Sequence, residues 1–262
     1  MAGRAAVAAL VLLVLPAWPA RALDRFEIEV YGPDLAAPGE FGLELHLNYV
    51  PSGDALPAYP GAAPLDRSGH YTLEAAAGTL EWLELGGYLL SYSAPGFGYR
   101  YGGWKLRAKA VVPRRFTGAF FLGLNAEAGQ VPSEVEPNAW GAELRPILGW
   151  SSGPLYLSVN PILEFAISGP GAYRVVWSPC AKADVNTQLG FGVGLEYYST
   201  AGFLDALPSP GQWEQILFAV ADLLPPSGAE ESPWELNLGV GKGLTAASPE
   251  HWVVKGIAGH SF

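Results

Sequence analysis

From residue 42 to the C-terminus the chain alternates between apolar and polar side chains in stretches of about ten residues. Gly42 to Tyr49 puts Leu43, Leu45, Leu47 and Tyr49 on one side of an extended chain and Glu44, His46 and Asn48 on the other, because strand side chains have a period of two. Trp104 to Ala110 repeats the device, with Lys105, Arg107 and Lys109 opposite Leu106, Ala108 and Ala110. No helix separates these residues so cleanly. The pattern predicts twelve strands, at 42–50, 70–77, 80–93, 101–112, 116–128, 139–150, 155–167, 182–188, 190–199, 215–222, 234–244 and 251–262.

Strand length and the connections decide what such strands build. Many reach the nine to eleven or more residues that a tilted strand needs to cross a bilayer, whereas soluble strands average roughly five or six. The connections alternate, with 51–69, 94–100, 129–138, 168–181 and 201–214 long and 78–79, 113–115, 151–154 and the junction at Leu189 short. That is the arrangement of an all-β, antiparallel, up-and-down transmembrane barrel with long extracellular loops and short periplasmic turns. Two connections fit less well: 223–233 is long for a periplasmic turn, and 245–250 is short for an outside loop. Residues 26–31 also have strand character, but single-chain bacterial barrels hold even strand counts. Residues 23–41 are therefore expected to be a periplasmic lead-in and 42–262 the barrel.

Residues 1–22 support export. Arg4 is followed by an apolar run from Ala5 to Leu15, and Ala20-Arg21-Ala22 forms an A-x-A cleavage site, so a signal peptide is expected to be cleaved after Ala22. The run is too short for a transmembrane helix, leaving a closed barrel as the way into a membrane. The net charge of −10 is the wrong sign for binding nucleic acid. Cys180 is the single cysteine, so neither an intramolecular disulfide nor a cysteine-based zinc site is available. With 33 Gly and 23 Pro, long helices are disfavoured.

The chain ends in a strand that runs to Phe262, with Trp252, Val254 and Ala258 on the same face. This end resembles the C-terminal signal of bacterial outer-membrane proteins, which implies Phe262 as an assembly signal read by the barrel assembly machinery. Further stretches, Phe26-Glu-Ile-Glu-Val-Tyr31, Gly42-Leu-Glu-Leu-His-Leu-Asn-Tyr49, Glu81-Trp-Leu-Glu-Leu-Gly86, Lys105-Leu-Arg-Ala-Lys109, Gly194-Leu-Glu-Tyr-Tyr198 and Trp234-Glu-Leu-Asn-Leu-Gly-Val-Gly241, extend the likeness over nearly the whole chain. Together they resemble an uncharacterised family of proteobacterial outer-membrane β-barrels, similar in style to outer-membrane proteins grouped under phenol-degradation pathway names. The resemblance implies a barrel in contact with outer-membrane lipids and passage of small molecules, hydrophobic ones among them, and it supplies no catalytic residues to carry over.

If the apolar faces meet lipid, the lumen receives Glu44, His46, Asn48, Glu84, Lys105, Arg107, Lys109, Glu127, Glu143, Arg145, Glu164, Asp184, Glu196 and Glu235, with Asn125, Asn160, Lys182, Asn186, Asn237 and Lys255. Such a lining is either a salt-bridged filling or a charged pore wall. Twelve strands leave more room than the eight whose side chains fill a barrel, so an open or ligand-admitting lumen is expected over a plugged one. The expected function is a porin-like channel for a small solute. A membrane-embedded hydrolase and a structural surface barrel are the alternatives. His46, His70, His251 and His260 sit in no catalytic motif, and Asp222, Glu250 and His251 have no zinc or calcium spacing, so neither a catalytic nor a metal or cofactor site is expected. The glycine-rich runs at 190–194 and 239–243 lack a P-loop context and are read as thinning the wall or admitting facing aromatic side chains.

Overall fold

The computed structural model describes residues 24–187, 189–223 and 233–262. The expected signal segment 1–22 and most of the connection at 223–233 lie outside the described residues. The strands are β1 (Phe41–Gly53), β2 (Ser68–Leu80), β3 (Leu83–Ala94), β4 (Gly98–Val111), β5 (Phe120–Gln130), β6 (Trp140–Ser152), β7 (Leu155–Ala166), β8 (Val175–Asn186), β9 (Phe191–Thr200), the two-residue β10 (Gly202–Phe203), β11 (Glu214–Leu223), β12 (Trp234–Gly243) and β13 (Glu250–Ser261). The twelve long strands pair antiparallel with both neighbours. The ring closes where β1 pairs with β13 and β8 with β9, while β10 adds a short ladder to β8. Closure leaves no sheet edge, which satisfies the backbone where water is absent.

The period-two pattern sets which face meets lipid. On β1, Phe41, Leu43, Leu45, Leu47 and Tyr49 point out and are exposed, while His46, Asn48 and Val50 are buried inside. The same holds around the ring, with Leu106, Leu122, Leu124, Leu148, Leu157, Val193, Leu195, Leu238 and Val254 all exposed. This continuous apolar surface is bounded by aromatic side chains, Trp82, Phe120, Trp234 and Phe262 at the short-turn end and Tyr49, Tyr99, Tyr101, Trp140 and Trp252 at the long-loop end. Two aromatic girdles around an apolar band mark a barrel solvated by lipid. The terminal residue joins the closure: Phe262 N–H donates to Phe41 O at 2.8 Å, and Phe41 N–H to Phe262 O at 3.3 Å.

Two expectations about these elements are corrected. Strand β8 begins at Val175, seven residues before the expected 182, so Cys180 lies in a strand and buried in the interior, not in an outside loop. Pro179 made this stretch read as a loop. It is tolerated opposite Pro161, beside an interruption of the β6–β7 register between Leu144–Leu163 and Leu148–Val159. The second correction concerns 23–41. Residues 24–31 are not a rim lead-in: Arg25, Phe26, Glu27, Ile28, Val30 and Tyr31 are buried within the barrel. From Tyr31 the chain follows the inner wall to the short-turn rim, where Ala36 N–H donates to Glu84 Oε2 at 2.6 Å and Gly39 N–H to Gly78 O at 2.9 Å. Gly78 is needed there, because a Cβ would strike the carbonyls of Ala36 and Ala37.

Candidate functional site: a lumen filled by the N-terminal segment

Asp24 to Glu27 form a turn, closed by Glu27 N–H donating to Asp24 O at 3.1 Å, and from there to Tyr31 the chain has no regular secondary structure, with apolar Phe26, Ile28 and Val30 alternating in sequence with Arg25, Glu27, Glu29 and Tyr31. The wall offers apolar and charged partners around the whole ring: Ile28 and Val30 pack in a cluster with Val50, Ile162, Cys180, Tyr198, Ile216, Phe218, Val220 and Val253. Phe26 joins Tyr88, Leu90, Tyr92, Ala94 and Val135 nearer the long-loop end. Charged groups stand on both walls, on β2 to β6 and on β8, β9, β11 and β13, and take the polar side chains of the segment.

Backbone groups that would otherwise be buried without partners are met by side chains on the wall. Tyr31 N–H donates to Asn160 Oδ1 at 2.7 Å, and Tyr31 O accepts from Ser158 Oγ at 2.7 Å and Asn160 Nδ2 at 3.1 Å. Thr72 Oγ1 donates to Phe26 O at 2.8 Å, Asn48 Nδ2 to Arg25 O at 2.9 Å, Lys255 Nζ to Ile28 O at 2.9 Å and Arg145 to Glu29 O at 3.2 Å. These anchors come from β1, β2, β6, β7 and β13, so the segment is held from several sides of the ring.

The charged groups form a network. Arg107 pairs with Glu74 and with Glu84 at 2.7 Å. Lys105 pairs with Asp24 and lies 3.4 Å from Glu127. Lys109 sits 4.8 Å from the centre of the Tyr31 ring, and the Arg145 guanidinium 4.3 Å from it. Arg145 also pairs with Glu143 at 2.7 Å. Across the lumen, Lys182 contacts Asp222 at 2.9 Å and both Asp184 and Glu196 at 3.2 Å, and Lys255 pairs with Glu196. Arg25 of the segment is bound to Glu250. Ion pairs this deep are held because removing either partner strands a buried charge.

Of the residues assigned to the lumen from sequence, His46, Asn48, Glu84, Arg107, Lys109, Glu127, Glu143, Arg145, Asp184 and Glu196 are buried inside. Glu44, Lys105 and Glu164 are half-buried, and Glu235 is exposed at the short-turn mouth. The open lumen expected from strand number is not what these residues line. The segment closes it, leaving an internal cavity of about 20 Å³ beside Glu27, Glu143 and Cys180, room for one water molecule. The sequence reading missed the partners Asp24, Arg25, Glu27, Tyr31, Glu74 and Asp222. The signal available was the alternation of apolar and polar residues over 25–31. In the glycine-rich run on β12, a Cβ on Gly241 would fall 2.6 Å from the Phe218 ring, so glycine admits a facing side chain there.

At the long-loop rim, β1 runs on to Gly53 and so includes Ser52, which the sequence reading left in a loop. Ser52 Oγ lies 3.4 Å from His251 Nδ1, and His251 Nε2 lies 3.6 Å from Asp54 Oδ1.

The sequence matches no protein-family model and no curated protein, so the phenol-degradation likeness gains no support at the sequence level. The fold does have solved counterparts. The COG4313 outer membrane channel from Pseudomonas putida F1 is similar at a TM-score of 0.60 and 12% identity, over 88% of this chain and 97% of that one. The KdgM porin is similar at 0.54 and 11% identity, over 84% of this chain and 99% of that one. At these identities the likeness is one of fold: the chain is a closed, twelve-stranded antiparallel barrel of the outer-membrane type.

Proposed function

We propose that this protein is a porin-like channel of the bacterial outer membrane, closed in the described state by its own N-terminal segment and open to small solutes when that segment leaves. The observation that carries this reading is how the segment is seated. It pairs with no strand as a ladder and is held by side chains that accept and donate to its backbone, so it can withdraw without breaking the barrel. The segment also indicates the solute. A lumen that packs Phe26, Ile28 and Val30 and also pairs with Arg25, Glu27 and Tyr31 suits a small molecule that combines apolar surface with polar or charged groups. Outer-membrane lipids are the partners of the apolar band, and Phe262 is the assembly signal.

Liposome swelling tests the reading. Vesicles carrying the chain without residues 24–31 are expected to swell in small amphipathic and charged solutes faster than vesicles carrying the full chain. Equal, background-level swelling for both would reject it.

A second reading, a membrane-embedded hydrolase, is favoured by the Ser52, His251 and Asp54 cluster alone. Its contacts are long and its histidine and aspartate exposed, where serine catalysis relies on a tight, oriented relay. The channel reading expects no covalent labelling of Ser52 by a fluorophosphonate. Stoichiometric labelling abolished by His251→Ala would favour the hydrolase.

A further inference from the structure

Where the segment crosses the inner face of β1, three metal-ligand atoms converge. Glu29 from the segment and Glu44 and His46 from β1 bring two carboxylate oxygens and an imidazole nitrogen within 4.8 Å of one another. His46 is 0% exposed, yet neither of its ring nitrogens has a hydrogen-bond partner. Its Nε2 lies 3.6 Å from Glu44 Oε2 and 3.4 Å from Glu74 Oε2. These separations are long for hydrogen bonds. The His46–Glu44 separation matches two ligands of one tetrahedral cation, since bonds of about 2.1 Å place neighbouring ligand atoms about 3.4 Å apart, and Glu29, within 4.8 Å of both, has to draw in by about 1 Å to complete the set. Charge points the same way. Glu74 is already answered by Arg107 at 2.6 Å, whereas among the described residues no lysine or arginine lies within ion-pair distance of Glu29 or Glu44. A buried, unsatisfied imidazole facing two carboxylates that lack a cation is an arrangement a divalent ion resolves.

We propose that Glu29, Glu44 and His46 hold a divalent transition cation of the zinc type, with Glu74 at the edge of its sphere, and that the ion ties the N-terminal segment to the barrel wall. Glu29 is the ligand the segment contributes, so the ion binds the closed arrangement more tightly than the open one and favours closure in return. The site itself is independent of transport, while its action as a latch rests on the channel reading.

Calorimetric titration of the refolded full chain with zinc chloride in detergent reads the site without any current. One equivalent is expected to bind, and Glu29→Gln and His46→Gln are each expected to weaken it by about tenfold or more, at least the cost of losing a ligand's supporting contact. Calcium is expected not to compete. No binding by the full chain, or binding unchanged in both variants, overturns the site. Should His46→Gln fail to fold, Glu29→Gln and the anomalous zinc signal in crystals of the unaltered chain decide alone: a peak away from Glu29 and His46 overturns it. In planar bilayers, chelation by EDTA is expected to raise the open probability of the full chain. Zinc binding with the expected ligand dependence and no effect of EDTA, in a chain that conducts once residues 24–31 are deleted, keeps the site and overturns the latch.

Discussion

Tyr31 gathers more of the lumen than any other residue of the N-terminal segment. Its backbone is held by Asn160 and Ser158, its hydroxyl donates to Glu27 and lies 2.7 Å from the Tyr88 hydroxyl and 3.3 Å from Glu127, and its ring faces Lys109 and Arg145. Asn160→Ala would leave the buried Tyr31 N–H without an acceptor, a cost of about 1–3 kcal/mol to seating the segment. The expected outcome is a rise of roughly tenfold in single-channel open probability, at 1.4 kcal/mol for each factor of ten. The three cations of β4 separate by their partners. Arg107→Gln strands Glu74 and Glu84 and is expected to cost about 3–5 kcal/mol. Lys109→Gln, which gives up an aromatic contact, is expected to cost about 1 kcal/mol. Urea unfolding of the barrel in lipid vesicles would rank the two, and equal losses would contradict the assignment. Strict alternation made the direction of Lys105, Arg107 and Lys109 legible in the sequence. Their partners were not, because Glu74 comes from the neighbouring β2–β3 hairpin and Asp24 from a segment that pairs with no strand.

At the scale of elements, long strands with one apolar face announce themselves through their period of two, and so most of the ring was readable. The exceptions have physical causes. Pro179 suggests a loop, but a proline costs a strand little where the ladder is already interrupted, and β8 passes through it. Residues 26–31 look like a strand because they alternate between apolar and polar, yet they follow a turn and face the interior of the barrel, and sequence does not distinguish those surroundings from a sheet. Cys180 turns this into a measurement. It is buried in the lumen wall, in the cluster that packs Ile28 and Val30. A membrane-impermeant thiol reagent is expected to leave it unmodified in the full chain, applied from either side. It is expected to modify it in a chain lacking residues 24–31. Rapid modification of the full chain would mean that the segment does not cover the wall.

At the scale of the whole molecule, the apolar band and its aromatic girdles fix the barrel in a bilayer, and the closing contact between Phe41 and Phe262 completes the ring at its last residue. Deleting Phe262 removes both hydrogen bonds and an aromatic side chain 69% exposed at the lipid-facing rim. It is expected to lower the yield of the heat-modifiable folded form in outer-membrane fractions, and an undiminished yield would remove Phe262 as the assembly signal. A segment held by side chains and by no strand ladder leaves the barrel complete without its plug. Single-channel recording in planar bilayers tests it most directly. The full chain is expected to be closed for most of the record, and the chain lacking residues 24–31 to show a steady, larger conductance. A deleted chain that folds, inserts and remains as silent as the full one would contradict the account.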